Sequence, residues 1–171
     1  RCLEAWSGES GWSGSLQQDV GWLACVQDLL WGVDVCAPGY KNEVLRALHS
    51  GWFHAFHMGV ECTTWSRACH PAYRNADNLL GFDFKHDLKR QSTLESANLQ
   101  LEIAIEWFCA CLMLGILCSI ENPATSMLWL HPKVVSLLAK DHVCIFTMYF
   151  CGYGAKSVSY THLRAHETQL H

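Results

Sequence analysis

Cys2-Leu3-Glu4-Ala5-Trp6 followed by Ser7-Gly8-Glu9-Ser10-Gly11 is the stretch on which the fold turns. A short apolar run breaks into a small, glycine-bearing turn. A helix-compatible segment, Trp12 to Val20, comes next and stops at Gly21. Trp22 to Val26 is a second apolar run, and Asp28 closes it. Strand, glycine turn, helix, strand, acid is the opening of a nucleotide-binding βαβ unit. The turn lets backbone approach a ligand, and the helix start offers free N–H groups. Asp28 follows Gly8 by 20 positions, the customary distance for an acid that accepts ribose hydroxyls. Two glycines stand where the dinucleotide fingerprint has three, so a plain tight turn is the competing reading. Asp34 lies before Pro38-Gly39 and reads either as a second acid at the sheet edge or as a loop cap.

Outward from this unit, Asn42 to His49 places Val44, Leu45 and Leu48 on one helical face. Trp52 to Met58 reads as a strand, and Gly59-Val60-Glu61-Cys62-Thr63-Thr64-Trp65-Ser66 follows as a loop. Open α/β sheets bind ligands outside the carboxyl ends of their strands, so Cys62 stands where chemistry is expected. The plain alternative is a buried, inert thiol, one of ten cysteines. Pro71 to Lys89 is polar and unpatterned, a long loop expected to lie over the Cys62 loop. Ser92-Thr93-Leu94-Glu95 has the form of a capping box, and apolar residues from Leu94 to Leu112 recur at helical spacing up to Gly115. Ile116 to Ile120 reads as a buried strand delivering Glu121-Asn122-Pro123 to the side of Cys62. Pro123 ends that strand. Ser126 to Trp129 and Pro132 to Leu138 are short helical pieces, Val143 to Phe150 a further strand, and Cys151 to Gly154 a turn.

At 171 residues, half of them apolar and 16% charged, the chain reads as one soluble globular domain. The net charge of −4 and the lack of a lysine/arginine cluster argue against a self-sufficient nucleic-acid binder. Ten cysteines without framework spacing or a signal peptide point to free thiols in a reducing, intracellular compartment, nuclear or cytoplasmic. No apolar run reaches the length of a membrane span; Trp107 to Ile120 comes closest. No metal site is expected: His54 and His57 point to opposite faces of a strand, and no Cys-x-x-Cys pair exists.

The last stretch has a different origin. Val158-Ser159-Tyr160-Thr161-His162-Leu163-Arg164-Ala165-His166-Glu167-Thr168 back-translates into the transposase adapter of short-read library preparation. Residues 157–171 are therefore expected to be translated adapter, and 1–156 a catalytic-domain fragment, since Arg1 is not a start residue either.

Three pieces in order resemble the cytosine-5 DNA methyltransferase family, over nearly all of residues 2 to 155. Leu3 to Gly11 looks like its cofactor loop. Gly59 to Ser66 looks like its catalytic loop, written generally as Gly-Pro-Pro-Cys-x-x-aromatic-Ser, and Glu121-Asn122-Pro123 is similar to its Glu-Asn-Val element. The resemblance implies an α/β, Rossmann-like methyltransferase sheet, mostly parallel, with helices on both faces and C-terminal strands missing. It implies methyl transfer from S-adenosylmethionine to carbon 5 of cytosine in DNA, a base flipped out of the duplex. Cys62 would be the covalent nucleophile, Glu121 would bind the base at its amino edge and ring nitrogen 3, and Asn122 would fix the loop. Glu4, Trp6, Ser7, Gly8, Gly11, Asp28 and Asp34 would line the cofactor site. DNA would be held through a recognition region outside these residues. A lowered thiol pKa is expected, through loop N–H groups or a nearby cation, with Arg67 a candidate.

The chain departs from the family pattern at several points. Val60-Glu61 replaces the proline pair and sets a carboxylate beside the thiol, which raises its pKa. Pro123 replaces valine, no base-holding arginine motif is evident, and the closing motif is absent. A remnant that keeps the fold as a binding or structural module, inside a larger mobile-element protein, is the alternative reading.

Overall fold

A computed structural model describes residues 1–7, 11–149 and 161–163. The chain divides into two compact units, residues 1–60 with 102–120, and residues 61–101 with the described residues from 121 on.

The first unit carries the sheet. Strands β1 (Cys2–Ala5), β2 (Ala24–Gln27), β3 (Ala55–Gly59) and β4 (Leu117–Glu121) line up in the order β2-β1-β3-β4, all parallel. Glu4 of β1 stands in register with Val26 of β2 on one side and His57 of β3 on the other. This is an α/β architecture consistent with a Rossmann-like fold, as the βαβ reading expects. The chain runs from β1 outward to β2 and then returns to the other side of β1. That reversal is the switch point at which such sheets open a crevice, between the carboxyl ends of β1 and β3.

Helix α1 (Gly11–Val20) comes after β1 in the chain, and α2 (Tyr40–His49) buries Val44 and Leu48. In β1, β3 and β4 consecutive residues are covered on both faces, with Cys2, Leu3, Ala5, Phe56, Met58 and Cys118 all buried, whereas β2 is half-buried along its length. Trp107 anchors this core, with ring centroids 5.5 Å from Phe56 and 5.6 Å from Trp6. Its indole N–H donates to the Lys41 carbonyl at 3.1 Å, so its polar atom is satisfied. One polar contact crosses the strands: His57 Nδ1 meets Ser119 Oγ at 2.7 Å in the interior.

Helix α3 (Leu88–Leu114) begins four residues before the expected capping box. The reason lies in Asp87. Its side chain accepts from Arg90 N at 3.1 Å and its carbonyl from Gln91 N at 2.9 Å, so Asp87 satisfies the exposed donors of the first turn. Ser92 therefore sits inside the helix, and Glu95 instead pairs with Gln91 one turn earlier, at 2.7 Å. The earlier start also lengthens the helix to 27 residues, enough by length and composition to cross a membrane. Leu94, Ala97, Leu101, Ala104, Phe108 and Cys111 are nonetheless buried in the protein, as in a core helix.

In the second unit, Pro132–Leu138 forms helix α4, with Pro132 in the first turn and the His131 ring accepting from Lys133 N. A 3-10 turn, Met127–Leu130, precedes it and buries Met127 and Leu128. The expected strand Val143 to Phe150 is shorter. Strand β5 (Thr147–Tyr149) pairs antiparallel with β6 (Thr161–Leu163) in a separate two-stranded sheet, so it does not extend the parallel one. Residues 161–163 belong to the stretch expected from the sequence to be translated adapter. The turn at Cys151 to Gly154 lies outside the described residues.

Candidate functional site

The residues expected at the cofactor site belong to the first unit. Glu4 is buried in β1, one residue before the strand ends at Ala5. Trp6 leaves the strand with a left-handed backbone, φ 53°, uncommon for a residue with a side chain. Its N–H is held by the Gln27 carbonyl at 2.8 Å, and its indole N–H faces the Cys36 sulfur. Gly59, at the end of β3, has to be glycine: a Cβ there would stand 2.9 Å from the Trp6 carbonyl oxygen. Strained backbone and close strand approach thus coincide at the switch point.

Ser7 Oγ is buried and finds no hydrogen-bond partner among the described residues. A buried hydroxyl without a partner costs free energy, so it marks a place where a ligand atom would be welcome. Gly8, with Glu9 and Ser10, lies outside the described residues, and Gly11 is the first residue of α1. Asp28 stands at the carboxyl end of β2 and caps the short turn Leu29–Trp31, accepting from Leu30 N at 2.9 Å. Asp34 is exposed and accepts from Cys36 N at 2.9 Å, which is the loop-cap reading of that residue. The structure therefore gathers Trp6, Ser7 and Asp28 at the ends of the neighbouring strands β1 and β2.

The residues expected to do chemistry belong to the second unit. Cys62 is half-buried, three positions past the end of β3. Asn122 is buried, and its amide reaches the Glu61 carbonyl at 3.5 Å, across 61 positions of sequence. Glu121, the last residue of β4, lies near enough for its charge to act on the Cys62 thiol. The trio Cys62, Glu121 and Asn122 is brought together.

The thiol is not activated in the way expected. Burial pushes it above its ordinary value, the Glu61 carboxylate pushes it further, its own backbone N–H pulls it partly back, and Glu121 adds a smaller upward push. Of the two expected sources of activation, the backbone N–H contributes, whereas Arg67 is exposed and does not enter.

The arginine that does matter was not legible in the sequence. Arg74, from the long polar loop, is fully buried, its guanidinium 3.4 Å from the centre of the Trp65 ring. It donates to the Thr64 carbonyl at 3.0 Å, the Thr64 hydroxyl at 2.9 Å, the Leu79 carbonyl at 2.7 Å and Asn98 Oδ1 at 2.9 Å. Burial lowers it to about 10 against a counter-push from Glu61, so it stays charged at neutral pH. Glu61 itself is turned into the loop, accepting from Thr64 N at 3.1 Å and from the Thr64 hydroxyl at 3.0 Å. Gln100 caps Glu61 N at 3.1 Å. No sequence signal marks Arg74: it is one charge in an unpatterned loop.

No family model matches the chain, and neither a curated protein nor a solved structure does.

Proposed function

We propose that the protein transfers a methyl group to carbon 5 of cytosine in DNA through a covalent bond to Cys62. The observation that carries this reading is the meeting of Cys62 and Glu121, distant in sequence, with Asn122 bonded to the same loop. Carbon 5 of cytosine is a weak nucleophile until a group adds at carbon 6. Cys62, having lost its proton, bonds carbon 6, while the Glu121 carboxyl gives a proton to ring nitrogen 3. Asn122 holds the Cys62 loop at Glu61, so that sulfur and carboxyl meet one base. S-adenosylmethionine would supply a methyl on a positively charged sulfur. Ser7 Oγ, buried and without a partner among the described residues, and Asp28 at the end of β2 fit its polar ends. After transfer a water molecule takes the proton on carbon 5, the C5–C6 double bond re-forms as the bond from carbon 6 to Cys62 breaks with its electron pair on sulfur, and the proton on nitrogen 3 returns to Glu121.

A second reading has an observation in its favour. The Cys62 thiol sits above its ordinary value, the wrong direction for a nucleophile, as suits a remnant that keeps the fold as a binding module. One experiment separates the two. The protein is incubated with radiolabelled S-adenosylmethionine and DNA carrying 5-fluorocytosine, which arrests the reaction at the covalent stage. A labelled protein–DNA adduct that Cys62→Ser abolishes supports the enzyme. Cofactor binding without adduct supports the remnant, and neither result leaves the family reading without support.

A further inference from the structure

The hydrogen bonds around Thr64 form a chain from a buried cation to the carboxylate beside the thiol. Arg74 Nη2 donates to Thr64 Oγ1 at 2.9 Å, and Thr64 Oγ1 donates to Glu61 Oε2 at 3.0 Å. Because the guanidinium occupies an acceptor position on the hydroxyl oxygen, the hydroxyl hydrogen is directed to Glu61. Bonds in such a chain polarise one another, most strongly away from water. Arg74 and Thr64 are both fully buried and Glu61 is half-buried, so water is kept from the Arg74–Thr64 bond and screens the Glu61 end only in part. Thr64 N, at 3.1 and 3.3 Å from the two Glu61 oxygens, completes the grip.

We infer that Arg74 and Thr64 are positioning residues for Cys62: the guanidinium–hydroxyl–carboxylate chain holds Glu61 on Thr64, offsets its negative charge, and so sets the reactivity of the thiol. The charged groups acting on Cys62 are Glu61 in its own loop and Glu121 at the end of β4; Arg74 reaches it through Glu61. This accounts for a carboxylate next to a nucleophile, where the family resemblance has proline. The inference does not rest on methyl transfer, because it concerns the thiol of the free protein.

The test follows alkylation of Cys62 by iodoacetamide across pH. The rate reports the thiolate fraction. The tryptic peptide 47–67 contains Cys62 as its single cysteine, so mass spectrometry reads this site alone. Thr64→Val keeps the shape and removes the hydroxyl. It is expected to move the midpoint up by about 0.5 pH and slow alkylation about threefold at neutral pH. In a Glu61→Gln background the same substitution should move nothing, and Thr64→Ser should keep the parent profile. Arg74→Lys, which stays positive but lacks the fork that reaches Thr64, should also raise the midpoint, and carries the test if Thr64→Val fails to fold. An unchanged profile in the folded variants overturns the inference, as does an equal shift with and without Glu61. Neither cofactor nor DNA is present, so loss of the methyl-transfer reading would leave this result standing, and the reverse holds too.

Discussion

The guanidinium of Arg74 lies 3.4 Å from the centre of the Trp65 ring, and both side chains are fully buried. Stacking of this kind suits arginine, whose planar, weakly hydrated cation retains its in-plane donors while its face covers an aromatic ring. Those donors hold Thr64, Leu79 and Asn98, so a single side chain joins the Cys62 loop, the long polar loop and α3 within the second unit. Trp65 in turn offers its carbonyl to Met127 N at 2.9 Å, and its ring meets that of His131 at right angles. The loop after the thiol is thus clamped from several sides.

Arg74→Met removes that clamp and leaves the buried Thr64 carbonyl, the half-buried Leu79 carbonyl and Asn98 Oδ1 short of a donor. A loss of about 3 kcal/mol or more in unfolding free energy is expected in urea titrations. Arg74→Lys should recover only part of it, because an ammonium cannot reproduce the fork.

Gly59→Ala sets a methyl group 2.9 Å from the Trp6 carbonyl, and the strand end must shift. The expected cost is about 1–3 kcal/mol. Gly14→Ala is the matched control: it lies in α1 with nothing within 4 Å of its Cβ, and should stabilise by about 0.5–1 kcal/mol. Urea midpoints moving the same way in both variants would contradict the close approach of β1 and β3.

Glu121→Gln separates electrostatics from chemistry. Removing a carboxylate that pushes the Cys62 thiol up brings the thiol down, so alkylation at neutral pH should quicken modestly, less than in Glu61→Gln. Adduct formation with 5-fluorocytosine should nevertheless fall steeply, because the proton for ring nitrogen 3 is lost. Faster alkylation with undiminished adduct would remove Glu121 from the proposed mechanism.

Alkaline pH should unfold the protein. Burial pushes the Tyr40 hydroxyl up to about 12, with Cys25 and Glu43 adding to it. Burial likewise raises the thiols of Cys2 and Cys36 above 9.0, and Cys118 is raised first by its hydrogen bond with Cys111 and then by burial. Each group binds its proton more tightly folded than unfolded. Its contribution is therefore complete below the unfolded value and lost as pH rises through the folded one. Urea midpoints should hold steady to about pH 8.5 and then decline through the range in which free thiols and tyrosine ionise. Tyr40→Phe should flatten the upper part of that decline.

Much of the first unit was legible in the chain. The apolar runs at Cys2 to Trp6, Trp52 to Met58 and Ile116 to Ile120 hold the strands Cys2–Ala5, Ala55–Gly59 and Leu117–Glu121, and the helical recurrence from Leu94 to Leu112 lies within α3. Period and turn chemistry are local, and the neighbouring residues alone carry them. The helix start was misplaced for the same local reason: Ser92 and Glu95 match a capping box, yet Asp87 is the residue whose side chain meets the open N–H groups. Val143 to Phe150 was read by its apolar run, which says nothing of its partner strand.

What the sequence determined by itself is the alternation of strand, turn and helix, and the placing of Cys62 and Glu121 at strand ends. The tertiary structure alone decided that Glu61 is gripped by Thr64, that Gly59 must make room for Trp6, and that Arg74 is the buried cation of the site. The physical reason is common to all three. A hydrogen bond, a steric limit or an offset charge depends on which remote segment arrives beside a residue, and an unpatterned loop such as the one bearing Arg74 holds no periodic trace of its destination.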